Sequence, residues 1–138
     1  MKIHGSCSCG FLTFEGEADP ERVSICHCTD CQSSTGTAFR VSVPVPGDTF
    51  RMVSGTPTIY LKTTADSGNP REQAFCPRCG SPVYSTTPGD GPKASYMVRV
   101  GVVREREALV PKVQNWTRSA RPWVTEIGAL RSNEKGAT

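Results

Sequence analysis

The sequence is poor in aromatic residues and has neither a long apolar run nor a basic tract. Only 7% of its 138 residues are aromatic, so large side chains are scarce in its core. No stretch approaches the roughly 18 apolar residues of a membrane span, and the first residues lack the apolar segment of a signal peptide. Lysine and arginine are scattered, which argues against a nucleic-acid or lipid surface. We therefore expect a cytoplasmic protein that binds neither nucleic acid nor membrane.

The remaining composition is that of a small globular protein. The chain is 36% hydrophobic and 21% charged, and its length is typical of one domain. Its 13 glycines and 11 prolines favour short strands and turns over long helices. We expect a single, mainly β domain over residues 1–138, with at most one or two short helices and a frayed C-terminal tail at 131–138.

Alternation of apolar and polar residues places most of the predicted strands. They are expected at 11–16, 23–25, 38–43, 50–53, 58–61, 83–86 and 95–103. Pro44 and Pro46 are expected to end the strand at 38–43. The polar segment 32–37 is loop-like, and a short helix is expected just after Cys31.

All seven cysteines lie in three clusters, which are Cys7 with Cys9, then Cys26, Cys28 and Cys31, then Cys76 with Cys79. An odd number cannot pair off completely as disulfides. In a reducing compartment, clustered cysteines are more typical of metal ligands than of disulfides. We expect the seven to divide into a group of four and a group of three.

The group of four consists of Cys7, Cys9, Cys76 and Cys79. Four thiolates complete the tetrahedral coordination of zinc, so this site is predicted to be closed and structural. In an extended chain, Cys7 and Cys9 point to one face. Cys-x-x-Cys-Gly at 76–80 is typical of a metal-binding turn. Buried thiols without metal, or redox pairs, are the alternatives.

The group of three consists of Cys26, Cys28 and Cys31. Three thiolates leave one coordination position of zinc for a substrate, as catalytic sites require. A closed site with His27 or His4 as fourth ligand is one alternative, and a redox or persulfide role is another. His27 lies between two ligands, so in an extended segment its side chain should point away from a metal that they share.

A zinc ion held by three thiolates has a net charge of −1, which lowers its Lewis acidity. Such a site suits exchange of a soft thiolate ligand better than production of hydroxide. The predicted chemistry is addition of a thiol to a small aldehyde, or the reverse carbon–sulfur cleavage. The alternatives are a non-catalytic, zinc-stabilised interaction module with both sites structural, and a nucleic-acid-binding protein, which would need a basic cluster.

Several motifs occur in an order and spacing that resemble one known family. They are Gly5-Ser6-Cys7-Ser8-Cys9-Gly10, Cys26-His27-Cys28-Thr29-Asp30-Cys31-Gln32, Gly36, Phe75-Cys76-Pro77-Arg78-Cys79-Gly80-Ser81, and Pro111 followed by Trp123. Over residues 3 to about 124, the chain resembles the glutathione-dependent formaldehyde-activating enzyme (GFA) family, which includes centromere protein V-like proteins.

The resemblance implies a β-tent fold with two zinc ions per chain. It implies that Cys7, Cys9, Cys76 and Cys79 hold a structural zinc, and that Cys26, Cys28 and Cys31 hold a catalytic one. The implied activity is that of a carbon–sulfur lyase, which condenses formaldehyde with glutathione to S-(hydroxymethyl)glutathione. The expected partners are thus a glutathione-like thiol and a small aldehyde, and a homo-oligomer is left open.

Two segments depart from the family pattern. Gly101-Val102-Val103-Arg104 replaces the frequent Gly-Thr-Leu-Asp, and Gln114-Asn115-Trp116 replaces the usual His-Ile-Phe. We expect both segments to shape the substrate pocket.

Other residues are weaker candidates for substrate contact. Backbone N–H groups at 33–36 could bind a carboxylate, or this could be an ordinary turn. Arg40 could pair with a carboxylate, although an exposed strand arginine is favoured. Trp116 and Trp123 could line a pocket, although packing is favoured. Asp30 could orient a ligand or be solvated.

Overall fold

The computed structural model describes residues 1–136 and is mainly β, as the composition predicts. Within these residues the chain forms two sheets, one short α-helix and five short 3₁₀ segments. The part of the predicted tail at 131–136 contains no helix or strand, and residues 137 and 138 lie outside the described residues. No helix among residues 1–136 is both long and apolar enough to cross a membrane.

The ten strands are β1 (Lys2–Ser6), β2 (Thr13–Glu17), β3 (Ser24–Cys26), β4 (Arg40–Pro46), β5 (Arg51–Ser54), β6 (Thr58–Lys62), β7 (Arg71–Phe75), β8 (Pro82–Thr86), β9 (Ser95–Arg99) and β10 (Val113–Asn115). The α-helix is α1 (Thr29–Thr35). The 3₁₀ segments are Pro20–Arg22, Val100–Val102, Arg106–Ala108, Thr117–Ser119 and Pro122–Ala129.

The strands divide into a small and a large sheet. The small sheet has the order β1-β2-β5, and the large sheet has the order β10-β3-β4-β9-β8-β7-β6. Every neighbouring pair is antiparallel except β10 and β3, which are parallel with Asn115 opposite Cys26. The parallel pair brings the C-terminal part of the chain to the central cysteine cluster.

The apolar core lies between the two sheets. Ile3 and Phe14 of the small sheet and Val43, Val45 and Val98 of the large sheet belong to one buried cluster. Such burial stabilises the fold by roughly 1.5–3 kcal/mol for each large side chain.

Four of the ten aromatic residues form one cluster in this core. Phe50 stacks on Tyr96 with ring centroids 4.2 Å apart, and it lies 5.3 Å from Tyr84 and 5.5 Å from Phe14. Aromatic pairs of this kind stabilise a core by more than the area that they bury would predict.

The two faces of the large sheet have opposite character because side chains alternate along each strand. On β4, Val43 and Val45 face the core, whereas Arg40 and Ser42 face the other way. The register pairs Arg40 with Cys26 and Ser42 with Arg99, so these four share the second face. The second face is therefore polar although parts of it are buried.

Three sequence-based expectations about element boundaries are wrong. Strand β4 continues through Pro44 to Pro46, because β3 covers only residues 40–42 of it and leaves one edge of β4 free beyond that point. Strand β9 ends at Arg99, where a 3₁₀ turn begins. The segment predicted as loop-like belongs largely to α1, which starts at Thr29 and already contains Cys31.

Phe14→Ala should reduce the free energy of unfolding by about 3–5 kcal/mol, because it leaves a cavity between the sheets. Phe14 is 2% exposed. Urea unfolding followed by circular dichroism, with metal content checked, measures the change. Val53→Ala is the control, since Val53 is 51% exposed and its loss should cost within about 0.5 kcal/mol. A loss below about 1 kcal/mol for Phe14→Ala would contradict the assignment of the core.

Candidate metal centres and the adjoining cavity

The first cysteine group joins a turn of each sheet. Cys7 and Cys9 lie in the turn between β1 and β2, and Cys76 and Cys79 lie in the turn between β7 and β8. Their four sulfur atoms all lie within 4.8 Å of one another. The Sγ atoms of Cys7 and Cys9 are 3.7 Å apart, and those of Cys9 and Cys76 are 3.8 Å apart.

The backbone of both turns directs N–H groups at sulfur. Leu12 N–H donates to Cys7 Sγ at 3.2 Å, and Arg78 N–H donates to Cys76 Sγ at 3.4 Å. Gly80 has a φ of 76°, which a glycine adopts without strain, and its N–H closes the turn on the carbonyl of Cys76 at 2.9 Å. N–H donors of this kind stabilise thiolate ligands.

A second contact between the turns reinforces the first. Ser8 N–H donates to Ser81 Oγ at 3.0 Å, and Ser81 Oγ lies 3.2 Å from Cys79 Sγ. The guanidinium of Arg78 lies 3.8 Å from the ring centroid of Phe11. The two turns are thus held together by polar and cation–π contacts as well as by the cysteines.

The geometry of this group fits a tetrahedral metal ion. A zinc–sulfur distance of about 2.3 Å places the corners of a tetrahedron about 3.8 Å apart, which agrees with the observed sulfur–sulfur distances. All seven cysteines are free thiols. Four soft donors with supporting N–H groups could therefore hold an ion with no position left for a substrate.

The second cysteine group lies at the junction of β3 and α1. Cys26 ends β3, Cys28 is the N-cap residue of α1, and Cys31 lies in the first turn of α1. The sulfur atoms of the three lie within 4.8 Å of one another. Cys28 Sγ accepts the N–H of Cys31 at 3.2 Å, which is the contact that starts the helix. The helix ends at Gly36, whose φ is 71°.

Neither histidine belongs to either cysteine group. His27 is buried, and its Nε2 lies 2.8 Å from Gln114 Oε1. His4 Nδ1 lies 3.1 Å from a carboxylate oxygen of Glu105. Among the residues that the structure describes, no His, Asp or Glu donor atom joins the three sulfur atoms of the second group.

Cys26 and Cys31 differ in acidity when the group holds no metal. A hydrogen bond from Cys31 lowers the pKa of Cys26 to about 5, and the N–H of Cys28 and the charge of Arg40 act in the same direction. The same hydrogen bond to Cys26, together with burial, raises the pKa of Cys31. Cys26 is therefore a thiolate at neutral pH and is ready to act as a metal ligand.

A cavity of about 470 Å³ opens beside the second group, on the polar face of the large sheet. Its lining takes in all three cysteines of the group, strand residues from β3, β4, β7, β8, β9 and β10, and a loop at 65–67. The volume lies within the usual range for small-molecule sites. The sulfur atoms of the second group are thus accessible from a cavity, unlike those of a closed core cluster.

The sequence identifies only part of the lining of this cavity. Arg40 is 7% exposed, so the expectation of an exposed strand arginine is wrong. Arg71 on β7 and Arg99 on β9 were not recognised as candidates. Arg40 and Ser42 alternate with valine on β4 and so signal a polar second face of the sheet, but β7 and β9 carry no such pattern. Burial lowers the pKa of Arg99 to about 9, and the positive charge of Arg40 adds to the effect.

The other candidates for substrate contact have mixed outcomes. Residues 33–36 do not line the cavity, and the N–H of Gly36 is bonded to the carbonyl of Gln32 at 2.9 Å. Asp30 lines the cavity, where it forms an ion pair with Lys62 at 3.4 Å and accepts a hydrogen bond from Thr64. Trp123 is half exposed on the surface and does not line this cavity.

One of the two segments that depart from the family pattern lies at the cavity. Asn115 and Trp116 line it, because β10 pairs with β3 beside Cys26. Trp116 has a φ of 57°, a strained conformation for a tryptophan, and strain of this kind is often found at functional sites. The segment Gly101–Arg104 is not part of the lining.

The fold and the two cysteine groups define a small, mainly β protein with two candidate metal centres, one enclosed by protein donors and one beside a cavity. The chain belongs to the glutathione-dependent formaldehyde-activating enzyme family, whose family model matches residues 2–119. The resemblance noted in the sequence is thereby confirmed at the level of the family.

One solved structure supports the fold. A crystal structure of a Rhodobacter sphaeroides protein matches with a TM-score of 0.62 and 21% sequence identity, and the match covers 83% of this chain and 100% of that one. At this level of identity the similarity concerns the fold alone. No curated protein matches the chain.

In metal-free protein, alkylation of Cys26 by iodoacetamide should depend little on pH between 6.5 and 8.5, because a thiol with a pKa of about 5 is already ionised throughout this range. Cys31, whose pKa is raised, should react more slowly than Cys26, and its rate should increase as the pH rises. Mass spectrometry measures the rate at each residue, and circular dichroism checks that the protein is folded. A rate at Cys26 that rises about tenfold per pH unit would contradict the assignment of the thiolate.

Proposed function

We propose that the protein is a zinc-dependent carbon–sulfur lyase-type enzyme that forms or cleaves the adduct of formaldehyde and glutathione. The observation that carries the proposal is the group of Cys26, Cys28 and Cys31. Their sulfur atoms lie within 4.8 Å of one another and line a cavity, and no His, Asp, Glu or further Cys donor joins them among residues 1–136. Membership in a family described as formaldehyde-activating enzymes supports the choice of substrates.

Zinc is the metal that we propose for both cysteine groups. All-thiolate donor sets suit zinc, whereas magnesium and calcium prefer oxygen ligands. Cys7, Cys9, Cys76 and Cys79 would hold a structural ion, and Cys26, Cys28 and Cys31 a catalytic one. A zinc ion held by three thiolates would have one free coordination position. A substrate thiol bound there would have a lower pKa and would be ionised at neutral pH.

The proposed reaction requires few groups from the protein. The sulfur of glutathione forms a bond with the carbonyl carbon of formaldehyde, the π pair of the carbonyl moves to oxygen, and this oxygen takes the proton that the thiol has lost. Cleavage reverses each step. Holding the thiol and the aldehyde side by side in the cavity provides the main gain, because a reaction between two molecules then becomes effectively intramolecular.

Three residues of the chain would position the substrates in this scheme. Arg40 lies opposite Cys26 in the sheet register, and its guanidinium is fixed by a hydrogen bond to Ser34 Oγ. Asn115 and Trp116 form the wall on the opposite side of Cys26. This wall comes from the segment that departs from the family pattern, so it is where this chain would differ from its relatives in substrate preference.

The organisation of the chain as one domain in the cytoplasm is part of the same proposal. The shared core between the two sheets and the cysteine contact between their turns support a single domain. The β-tent type that the resemblance implies stays a prediction.

The purified protein should contain about two zinc ions per chain, and mild chelation should remove one of them first. Three protein ligands beside a cavity hold an ion less firmly than four ligands supported by backbone N–H groups. Mass spectrometry of the metals, with a colorimetric zinc-release assay during titration with a chelator, measures both. A single class of equally resistant zinc would argue against a catalytic ion.

Cys28→Ser should abolish the thiol-dependent reaction and leave the fold intact, whereas Cys79→Ser should unfold the protein, because Cys79 belongs to the cross-link between the sheets. Exchange NMR with ¹³C-formaldehyde and glutathione measures adduct formation above the spontaneous background, and circular dichroism measures folding. Ser33→Ala, at an exposed position of α1 that does not line the cavity, is the control for a substitution next to the site.

Two results of this experiment would refute parts of the proposal. Equal loss of structure in Cys28→Ser and Cys79→Ser would remove the division of roles between the two groups. Wild-type protein with full zinc content that does not accelerate adduct formation would exclude this reaction and leave a zinc-stabilised protein of another function.

A further inference from the structure

Three arginines from three different strands line the cavity beside Cys26, Cys28 and Cys31. They are Arg40 on β4, Arg71 on β7 and Arg99 on β9. Arg40 and Arg99 are only 7% and 8% exposed, and Arg71 is half-buried. Buried arginines are rare in proteins unless they are paired with an anion.

The polar partners of these arginines are neutral. Arg99 Nη1 donates to Ser42 Oγ at 3.0 Å, Arg71 Nη2 donates to Ser85 Oγ at 3.5 Å, and Arg40 donates to Ser34. The Nε–H groups of Arg40 and Arg99 are buried without a hydrogen-bond partner. Among residues 1–136, no carboxylate lies within 4.0 Å of any of the three guanidinium groups.

The other charged residues of the cavity do not neutralise the three arginines. Lys62 and Asp30 neutralise each other in an ion pair at 3.4 Å, and Asp66 is exposed at the edge of the lining. Three thiolates around a divalent metal ion contribute one net negative charge, which faces three positive ones. An uncompensated buried charge is costly, so the arrangement calls for an anion from outside the chain.

We infer that Arg40 and Arg99, assisted by Arg71, form a carboxylate-binding site in the cavity, and that the triad of cysteines acts on a substrate that carries a carboxylate. This inference rests on the proposed function and names the residues that would select its substrate. Formaldehyde by itself is neutral and has a single carbon, so the three guanidinium groups and the cavity of about 470 Å³ indicate a larger substrate that carries a carboxylate. A planar guanidinium matches the two oxygens of a carboxylate.

Either of two substrates could carry this carboxylate, and the arginines would bind it in the same way. It belongs either to the thiol, as in glutathione, or to the carbonyl compound, as in a 2-oxo acid such as glyoxylate. In the second case the carbon–sulfur bond forms at the aldehyde carbon of glyoxylate, the π pair of that carbonyl moves to its oxygen, and the thiol proton ends on this oxygen. The carboxylate itself stays unchanged, bound to the arginines.

Isothermal titration of the zinc-loaded protein tests the inference with four probes. Glutathione and glyoxylate carry carboxylates, whereas glutathione diethyl ester and formaldehyde are their counterparts without a carboxylate. The variants are Arg99→Met, which keeps the length of the side chain, and Arg71→Gln at the half-buried position, which carries the test if the first variant does not fold. Arg104→Met is the control for the loss of one positive charge at an exposed site.

We expect at least one carboxylate probe to bind more tightly than its counterpart without a carboxylate. Its Kd should rise roughly 10- to 100-fold in Arg99→Met and stay within about twofold of wild type in Arg104→Met. Arg99→Lys should recover part of the loss. If the effect is confined to glutathione, the thiol is the source of the carboxylate, and if it is confined to glyoxylate, the carbonyl compound is the source.

Equal affinities of wild type and the folded arginine variants for both carboxylate probes would overturn the inference. Such a result together with normal adduct formation from formaldehyde and glutathione would leave the proposed function intact. Conversely, arginine-dependent binding of a carboxylate without adduct formation would support the site and refute the proposed reaction, so the two failures are distinguishable.

Discussion

The contact between two turns, one from each sheet, is the constraint on which the rest of the structure depends. It brings together four sulfur atoms from positions about seventy residues apart, and Ser8, Ser81, Arg78 and Phe11 reinforce it. A metal ion bound by these sulfur atoms would close a long loop and so restrict the unfolded chain strongly. This contact holds one end of the two sheets together. The polar face of the large sheet, which points away from the core, can then line the cavity.

That use follows from the two-residue period of a strand. On β4 the same seven residues supply valines to the core and Arg40 and Ser42 to the cavity. The register then carries the pattern across the sheet, from Cys26 to Arg40 and from Ser42 to Arg99. A shift of one residue in β4 or β9 would bring an arginine into the core in place of a valine, so packing and site geometry are specified together.

Much of this arrangement could be predicted from the sequence, because it is encoded locally. Cysteine spacing separates the two groups, and alternation identifies most strands. Two features escaped because they depend on contacts between distant segments. The burial of Arg40 requires knowing that the second face of β4 is covered, and the place of Asn115 beside Cys26 requires the parallel pairing of β10 with β3. Pro44 and Pro46 were predicted to end β4, because the sequence of a single strand does not show whether its edge is free. That depends on how far the neighbouring strand extends.

Strand β10 has only three residues, all of them exposed, yet it supplies one wall of the cavity. Its side chains take no part in the core, and apart from the contact of Gln114 with His27 it is attached to β3 by backbone hydrogen bonds that any residue except proline can make. Mutations at Asn115 and Trp116 can therefore accumulate with little penalty in folding, while each one alters the shape of the cavity. Selection can therefore change which molecules fit the cavity at this strip of chain and leave the three cysteines beside it unchanged.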